Sequence, residues 1–433
     1  MKKELDFSYK LLDFVNNSPS SFHVVNNVKS VLLKNGFKEL NSGERWVLEK
    51  EGKYFVTKND SALIAFVVGK GELGKYGFKL IGAHTDSPTF RIKPHSEIKT
   101  ENQYLKLNTE VYGGPIINTW LDRPLSIAGR ISVKEKNFLN PETFLLSIDK
   151  PIAVIPNLAI HMNRQVNDGI KLNTQKETLP ILSVINEKFE KDNALLDLIS
   201  ENIGVDPESV GDFDLFLYEY EKGCIAGLND EFISCGKLDD LAMVHGGLEA
   251  LIDSEPSNET NVLVLFDNEE VGSSTKQGAD SPMLENLLER ICISLKKDRE
   301  DFFRAFNNSF LISADMTHAL HPNYPEKQDP TNRPIINKGP AIKISANQSY
   351  TSDSVSSTVF QSLCNGAGVP VQIFVNRSDM RGGSTIGPIS STHLGISSVD
   401  VGNPILAMHS IKELGGVYDH YYMYKVFKEL YKI

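Results

Sequence analysis

The sequence predicts an α/β protein in three layers, with a mostly parallel central sheet interrupted by an inserted β-rich unit. Three observations carry that expectation. The runs FKLIGA at 78–83, VLVLF at 262–266 and FLISA at 310–314 are unbroken and apolar, which suits strands buried on both faces. Each stops abruptly in polar or acidic residues, as expected where the carboxyl ends of parallel strands open onto a ligand site. From about Phe90 to Cys235 the texture changes to short alternating segments, QYLKLNTEVYG, LSIAGRISVKE and TFLLSID, which read as antiparallel β structure.

Taken in order, residues 5–16 and 19–35 read as helices; Ser20 or Ser21 can cap the second, and Gly36 ends it. Residues 54–58 and 62–68 read as a meander, with Gly69, Gly71 and Gly74 marking the turn region after it. The strand at 78–83 then runs into His84-Thr85-Asp86-Ser87-Pro88. Within the insertion, 186–202 reads as a helix and 206–211 as a turn-rich link. The expected division is a discontinuous catalytic domain, 1–89 and 236–433, around an inserted domain, 90–235, that serves packing or assembly. After Gly236 come helices at 238–253, 282–295, 301–307 and 418–431. Strands are expected at 262–266, Phe310–Ala314, Ala341–Ile344, 369–376 and 399–402. The charge run KKDRED at 296–301 reads as exposed helical surface, and the serines of 349–358 as a polar helix start.

Composition narrows the function. A formal net charge of -11 disfavours nucleic acid or an anionic membrane as the main partner. Cys224, Cys235, Cys292 and Cys364 contain no Cys-x-x-Cys pair, so they fit neither a disulfide framework nor a thiolate metal site. The opening MKKELDFSYKLLDF breaks any signal-like apolar core with Glu4, Asp6 and Lys10. No apolar run approaches the ~20 residues that span a bilayer. A cytoplasmic location is expected.

The chemistry sits where the strands end. The strand at 78–83 delivers His84 and Asp86; that at 262–266 delivers Asp267, Glu269 and Glu270; Phe310–Ala314 delivers Asp315, then His318 and His321. KLDDLA supplies Asp239 and Asp240, and LAMHS supplies His409. A lone Glu-Glu or His-x-Asp is usually a solvated loop or plain structure; several such clusters at strand ends of one domain point to a metal. Imidazole mixed with carboxylate and no thiolate suits zinc, manganese or cobalt rather than calcium. Two histidines and three carboxylates are too many for one catalytic zinc with an open position, whereas two metals sharing a carboxylate, ~3.5–4 Å apart, use them all. A leftover carboxylate could deprotonate the shared water, and Asp86 could accept the second N–H of His84. Adjacency alone leaves open which of Glu269 and Glu270 is base and which is ligand.

These residues also carry a likeness. IGAHTDSP, KLDDLA, DNEEVGS, SADMTHALHPNY, IKISANQSY, GGSTIGPI and LAMHSIKELGG, in this order, resemble the aspartyl aminopeptidase family of dinuclear zinc peptidases. The likeness extends to SPSSFH at 18–23 and TWLDRPLSIAGR at 119–130. It implies two Zn2+ per subunit, replaceable by Mn2+ or Co2+. His84 and Asp315 would hold one, Glu270 and His409 the other, with Asp239 as bridge. Glu269 would be the general base, and Asp86 the partner of His84. The resemblance further implies tetrahedral dodecamers built from dimers, in which His161 reaches a neighbouring subunit's site. Lys343 matches the position linked to acidic side chains at the first residue of peptide substrates, and an ammonium in a cleft suits that role. Ser349, however, stands where the pattern usually has arginine, which leaves specificity open between acidic and apolar residues. Two rivals remain at this point. One is a deacylase or carboxypeptidase using Arg377 or Arg381 for a substrate carboxylate; the other is a non-enzymatic assembly protein with a relic site.

Overall fold

In the computed structural model the described residues are 2–134, 138–169, 171–185, 193–380 and 382–433. Val, Leu and Phe without a charge leave Thr260–Phe266 no solvent face, and all seven residues of that strand are buried. Its side chains alternate between two cores, as strand geometry requires. Leu263 and Leu265 join one cluster, and Val262, Val264 and Phe266 join the other. The first core is closed by Lys2–Asn16, Ser21–Lys34, Leu238–Ile252, Ser354–Ala367 and Val417–Lys432. The second is closed by Met283–Ser294, Arg299–Asn307 and Ile386–Leu394. This is the expected three-layer arrangement.

The central sheet has nine strands. In spatial order they are Lys38–Glu39, Lys53–Lys58, Ala62–Val67, Thr260–Phe266, Phe78–His84, Phe310–Ala314, Ser397–Gly402, Ala341–Ile344 and Gln372–Val375. The four strands from Thr260–Phe266 to Ser397–Gly402 are mutually parallel, while Ala62–Val67 and Ala341–Ile344 pair antiparallel on either side of them. The sheet is mixed and largely parallel, and its parallel centre carries the site.

Several elements differ in extent from the sequence expectation. The strand expected at 369–376 shrinks to Gln372–Val375, because the Val369 amide bonds back to Cys364 and Pro370 has no amide to give. The helix expected at 186–202 is seen as Ala194–Ile203, and residues 186–192 lie outside the described residues. The run at 296–301 is a helix junction rather than a helical face, with the Asp298 carboxylate capping the Asp301 amide at 3.0 Å. The serine stretch opens a helix through a capping box between Asp353 and Ser356.

A second, six-stranded antiparallel sheet contains Thr89–Thr100, Tyr104–Tyr112, Leu125–Val133, Glu142–Ser147, Ile181–Val184 and Val210–Glu219. It has its own core, including Phe90, Trp120, Ile127 and Leu215. Beyond it, Cys224–Ala226 and Phe232–Cys235 form a small sheet with Glu413–Gly416, which brings Glu413 opposite Cys235. The four cysteines are all free. No helix among the described residues is long and apolar enough to cross a membrane.

Candidate metal centre

Parallel strands end on one edge of a sheet, so their following residues converge. His84 is the last residue of its strand, paired opposite Phe266. Asp315 follows Ala314 directly, and Glu269 and Glu270 sit on a short 3-10 turn entered through Asn268 at φ 62°. Asp239 opens the helix Leu238–Ile252, and His409 takes a left-handed backbone, φ 68°, ahead of Glu413–Gly416.

The residues fall into overlapping groups. Donor atoms of His84, Asp239, Asp240 and Asp315 lie within 4.8 Å of one another, as do those of Asp239, Glu270 and His409. Asp239 is common to both, and its oxygens are divided between them. Oδ1 lies 3.4 Å from His84 Nε2, and Oδ2 lies 3.5 Å from His409 Nε2. His409 Nε2 is also 3.4 Å from Glu270 Oε1. A third group joins His84, Glu269 and Glu270.

Both imidazoles have their other nitrogen on a carbonyl. His84 Nδ1 is 3.1 Å from the Asp86 carbonyl, and His409 Nδ1 is 3.1 Å from the Gly114 carbonyl. A carbonyl only accepts, so each Nδ1 carries a proton and donates, and each Nε2 is left to face carboxylate oxygens. Asp239 Oδ1, Asp240 Oδ1 and Glu270 Oε1 are buried without a hydrogen-bond donor. Buried acceptors aimed at each other without donors need a cation or shared protons. Shared protons are what the charges dictate in the metal-free chain. Burial pushes the Glu269 carboxyl up to about 8 and the Asp315 carboxyl to about 6. Burial opposes charging His84, yet Asp240, Asp239 and Asp86 hold its imidazole well above the ordinary range. Divalent cations would displace those protons, and nitrogen–oxygen donor sets of this kind fit zinc.

Two carboxylates organise the ligands from behind. Asp86 accepts the Glu269 amide on Oδ1 and the Glu270 amide on Oδ2, each at 3.1 Å, and the Tyr112 hydroxyl on Oδ2 at 2.8 Å. Its Oδ1 is also 3.3 Å from His84 Nδ1. Glu413 accepts the Asp239 amide at 3.0 Å and the His409 amide at 2.8 Å. Glu413 and Tyr112 were not singled out from sequence. Glu413 falls inside LAMHSIKELGG, a stretch that carries the resemblance, and that was its available signal; for Tyr112 it was the Gly-Gly pair that follows.

The cleft, about 470 Å3, is lined by Glu269, Glu270, Asp315, Lys343, Tyr350 and His409 among others. Lys343 is buried, with Nζ 3.2 Å from Asp315 Oδ2 and 5.6 Å from the Tyr350 ring centroid. His318 lines the cleft, whereas His321 stays in its turn against Tyr324. His245 packs on His420, away from the cluster. Asp267 is buried next to the strand end and accepts the Asn268 amide. His161 is on an exposed turn and lines neither this cleft nor the larger cavity beside it. Arg377 is tied to Asp379 at 2.7 Å, and Arg381 lies outside the described residues.

The comparisons with known proteins show the family. The chain is 65% identical, over the whole length of both, to a probable M18 family aminopeptidase 2 of Clostridium novyi. Among solved structures it is similar to the Ape4 chain of an Ape4 and Nbr1 complex, with TM-score 0.95 and 37% identity, covering 99% of this chain and 86% of that one. It is also similar to the S. cerevisiae mApe1 dodecamer, with TM-score 0.87 and 29% identity, covering 99% of this chain and 97% of that one. The family model described as aminopeptidase I zinc metalloprotease (M18) matches residues 14–431. This chain belongs to the M18 family of zinc metallo-aminopeptidases.

Proposed function

We propose that this aminopeptidase removes the first residue of peptides at a two-zinc centre held by His84, Asp239, Asp315, Glu270 and His409. The observation that carries the reading is Asp239, whose oxygens face His84 on one side and His409 on the other. His84 and Asp315 complete one half; Glu270 and His409 complete the other. When bound, zinc supplies Lewis acidity toward the scissile carbonyl and toward an attacking water.

The chain's own residues do the rest. Glu269 lines the cleft, its amide is held by Asp86, and its carboxylate lies beside His84 and Glu270, which supports its assignment as the base. It takes the water's proton and returns it to the leaving amine. A free substrate amine is met by the acidic cleft wall, which limits cleavage to chain ends. Lys343 reads an acidic first side chain as a point charge; Asp315, which it faces at 3.2 Å, would be a zinc ligand. His161 works from a neighbouring copy in a tetrahedral dodecamer, as the family resemblance implies; the similar S. cerevisiae mApe1 structure is a dodecamer.

The test is a substrate panel of free-amine and N-blocked aminoacyl amides with the zinc-loaded protein, together with metal counting. Two zinc ions per chain and turnover of free-amine Asp and Glu substrates are expected. Turnover of N-blocked substrates instead would favour an amidohydrolase, and faster cleavage of Leu than of Asp would remove Lys343 as reader.

A further inference from the structure

Residues 112–119 of the insertion form a strap along the candidate centre, and its hydrogen bonds go to Asp86, Asn268, His409 and Ile411. Tyr112 ends the strand Tyr104–Tyr112. Its hydroxyl donates to Asp86 Oδ2 at 2.8 Å and accepts from Asn268 Nδ2 at 2.8 Å. Asp86 in turn holds the amides of Glu269 and Glu270. Two residues on, the Gly114 carbonyl accepts a hydrogen bond from His409 Nδ1, and the Ile116 amide donates to the His409 carbonyl at 2.8 Å. Thr119 Oγ1 accepts the Ile411 amide at 3.0 Å. Between these, Gly113 has φ +70° and passes so close that an added Cβ would sit 3.1 Å from Glu270 Cβ.

We infer that the strap at 112–119 is a positioning element of the metal centre, so that the insertion sets cation affinity as well as shape. The proposal rests on the two-metal reading above. Its logic is that of outer-sphere partners generally. A ligand's ring orientation, tautomer and carboxylate rotamer are fixed by hydrogen bonds it makes on its far side, and losing one such bond costs about 10–100-fold in metal affinity or activity. Here one segment acts on two ligands of one half, on Glu270 through Asp86 and Gly113 and on His409 through Gly114 and Ile116, and through Asp86 it reaches His84 in the other half. Catalysis and insertion are therefore coupled within a single subunit, before any neighbour is considered.

The experiment uses the full-length protein as Tyr112→Phe, Gly113→Ala and, for comparison, Tyr218→Phe. Tyr218 donates its hydroxyl to the Ile148 carbonyl at 2.8 Å within the insertion, a contact that includes no ligand residue. Cobalt and zinc affinities are measured by competition with a chelator, the visible spectrum of the cobalt-loaded form is recorded, and kcat and KM are separated. Tyr112→Phe should fold, bind cobalt about 10–100-fold more weakly with an altered spectrum, and lose kcat with little change in KM. Gly113→Ala carries the same test from the backbone side if Tyr112→Phe does not fold. Wild-type affinity and spectrum in both variants would overturn the proposal, and so would an equal loss in Tyr218→Phe. Stoichiometry separates the two readings. One ion per wild-type chain, still weakened by Tyr112→Phe, overturns the two-metal reading and leaves the strap standing. Two ions bound equally well by every variant overturn the strap alone.

Discussion

Glu269 and Glu270 are neighbours with the same side chain, and the proposed function gives them different labour. Glu270 Oε1 is 3.4 Å from His409 Nε2 and has no donor, which supports its role as a ligand. Glu269 lines the cleft near His84 without a hydrogen bond to its carboxylate. Glu269→Gln keeps the volume and removes the base; kcat should fall by about 10²–10⁴ with zinc content unchanged. Full activity in a variant that still binds two zinc ions would reject Glu269 as base. Glu270→Gln is expected to behave differently, losing zinc as well as turnover, and metal analysis of the two proteins side by side distinguishes them. Lys343→Met should cut kcat/KM for Asp and Glu substrates far more than for Ala or Leu. An equal loss for all substrates would assign Lys343 to Asp315 alone, its partner at 3.2 Å.

At the scale of elements, the strands of the parallel centre were legible because nothing but burial explains runs such as VLVLF. The clusters at their ends were legible because several coincide at one sheet edge. What sequence could not supply was the far side of each ligand. Glu413 reaches the amides of Asp239 and His409 only because a three-stranded sheet joins 413–416 to 232–235, a pairing of segments distant in the chain. The strand at 372–375 was overextended for a local reason, since the helix end and Pro370 consume the residues before it. Helix packing also hides a titrating pair that no motif marks. His245 Nδ1 lies 3.0 Å from His420 Nε2, between Leu238–Ile252 and Val417–Lys432, and Phe7 stacks on His420 at 4.8 Å. Burial pushes His420 down to about 3 and His245 well below its ordinary value. The folded chain therefore holds these rings neutral where the unfolded chain protonates them near 6.5. Their contribution is complete above that pH and is lost as pH falls toward 3, by up to about 1.4 kcal/mol per pH unit for each proton. His420→Gln should flatten the decline of the melting temperature between pH 6.5 and 4.5, read by scanning fluorimetry at fixed rate. Parallel curves for both proteins would show that the pair does not contribute.

For the whole molecule, the exposed turn around His161 is the feature a single chain leaves without a reason. Leu158, Ile160 and Met162 are 53%, 48% and 70% exposed, an apolar strip flanking a histidine that lines neither of the two cavities described above. Apolar surface of this kind is usually covered by a partner, and in the proposed assembly that partner is a second copy. The reading has a consequence that a monomer cannot imitate. His161→Ala and Glu269→Gln chains should each be nearly inactive as separate assemblies, with a mass near twelve times the 48.2 kDa chain by light scattering. Co-expressed, they should recover a measurable part of the activity. A subunit with intact Glu269 but no His161 can then receive the histidine of a Glu269→Gln neighbour. If the two variants assemble together and activity stays at the level of either alone, His161 does not act across the interface. If His161→Ala by itself is fully active, the histidine has no part in the reaction, and the apolar strip is left as an assembly contact.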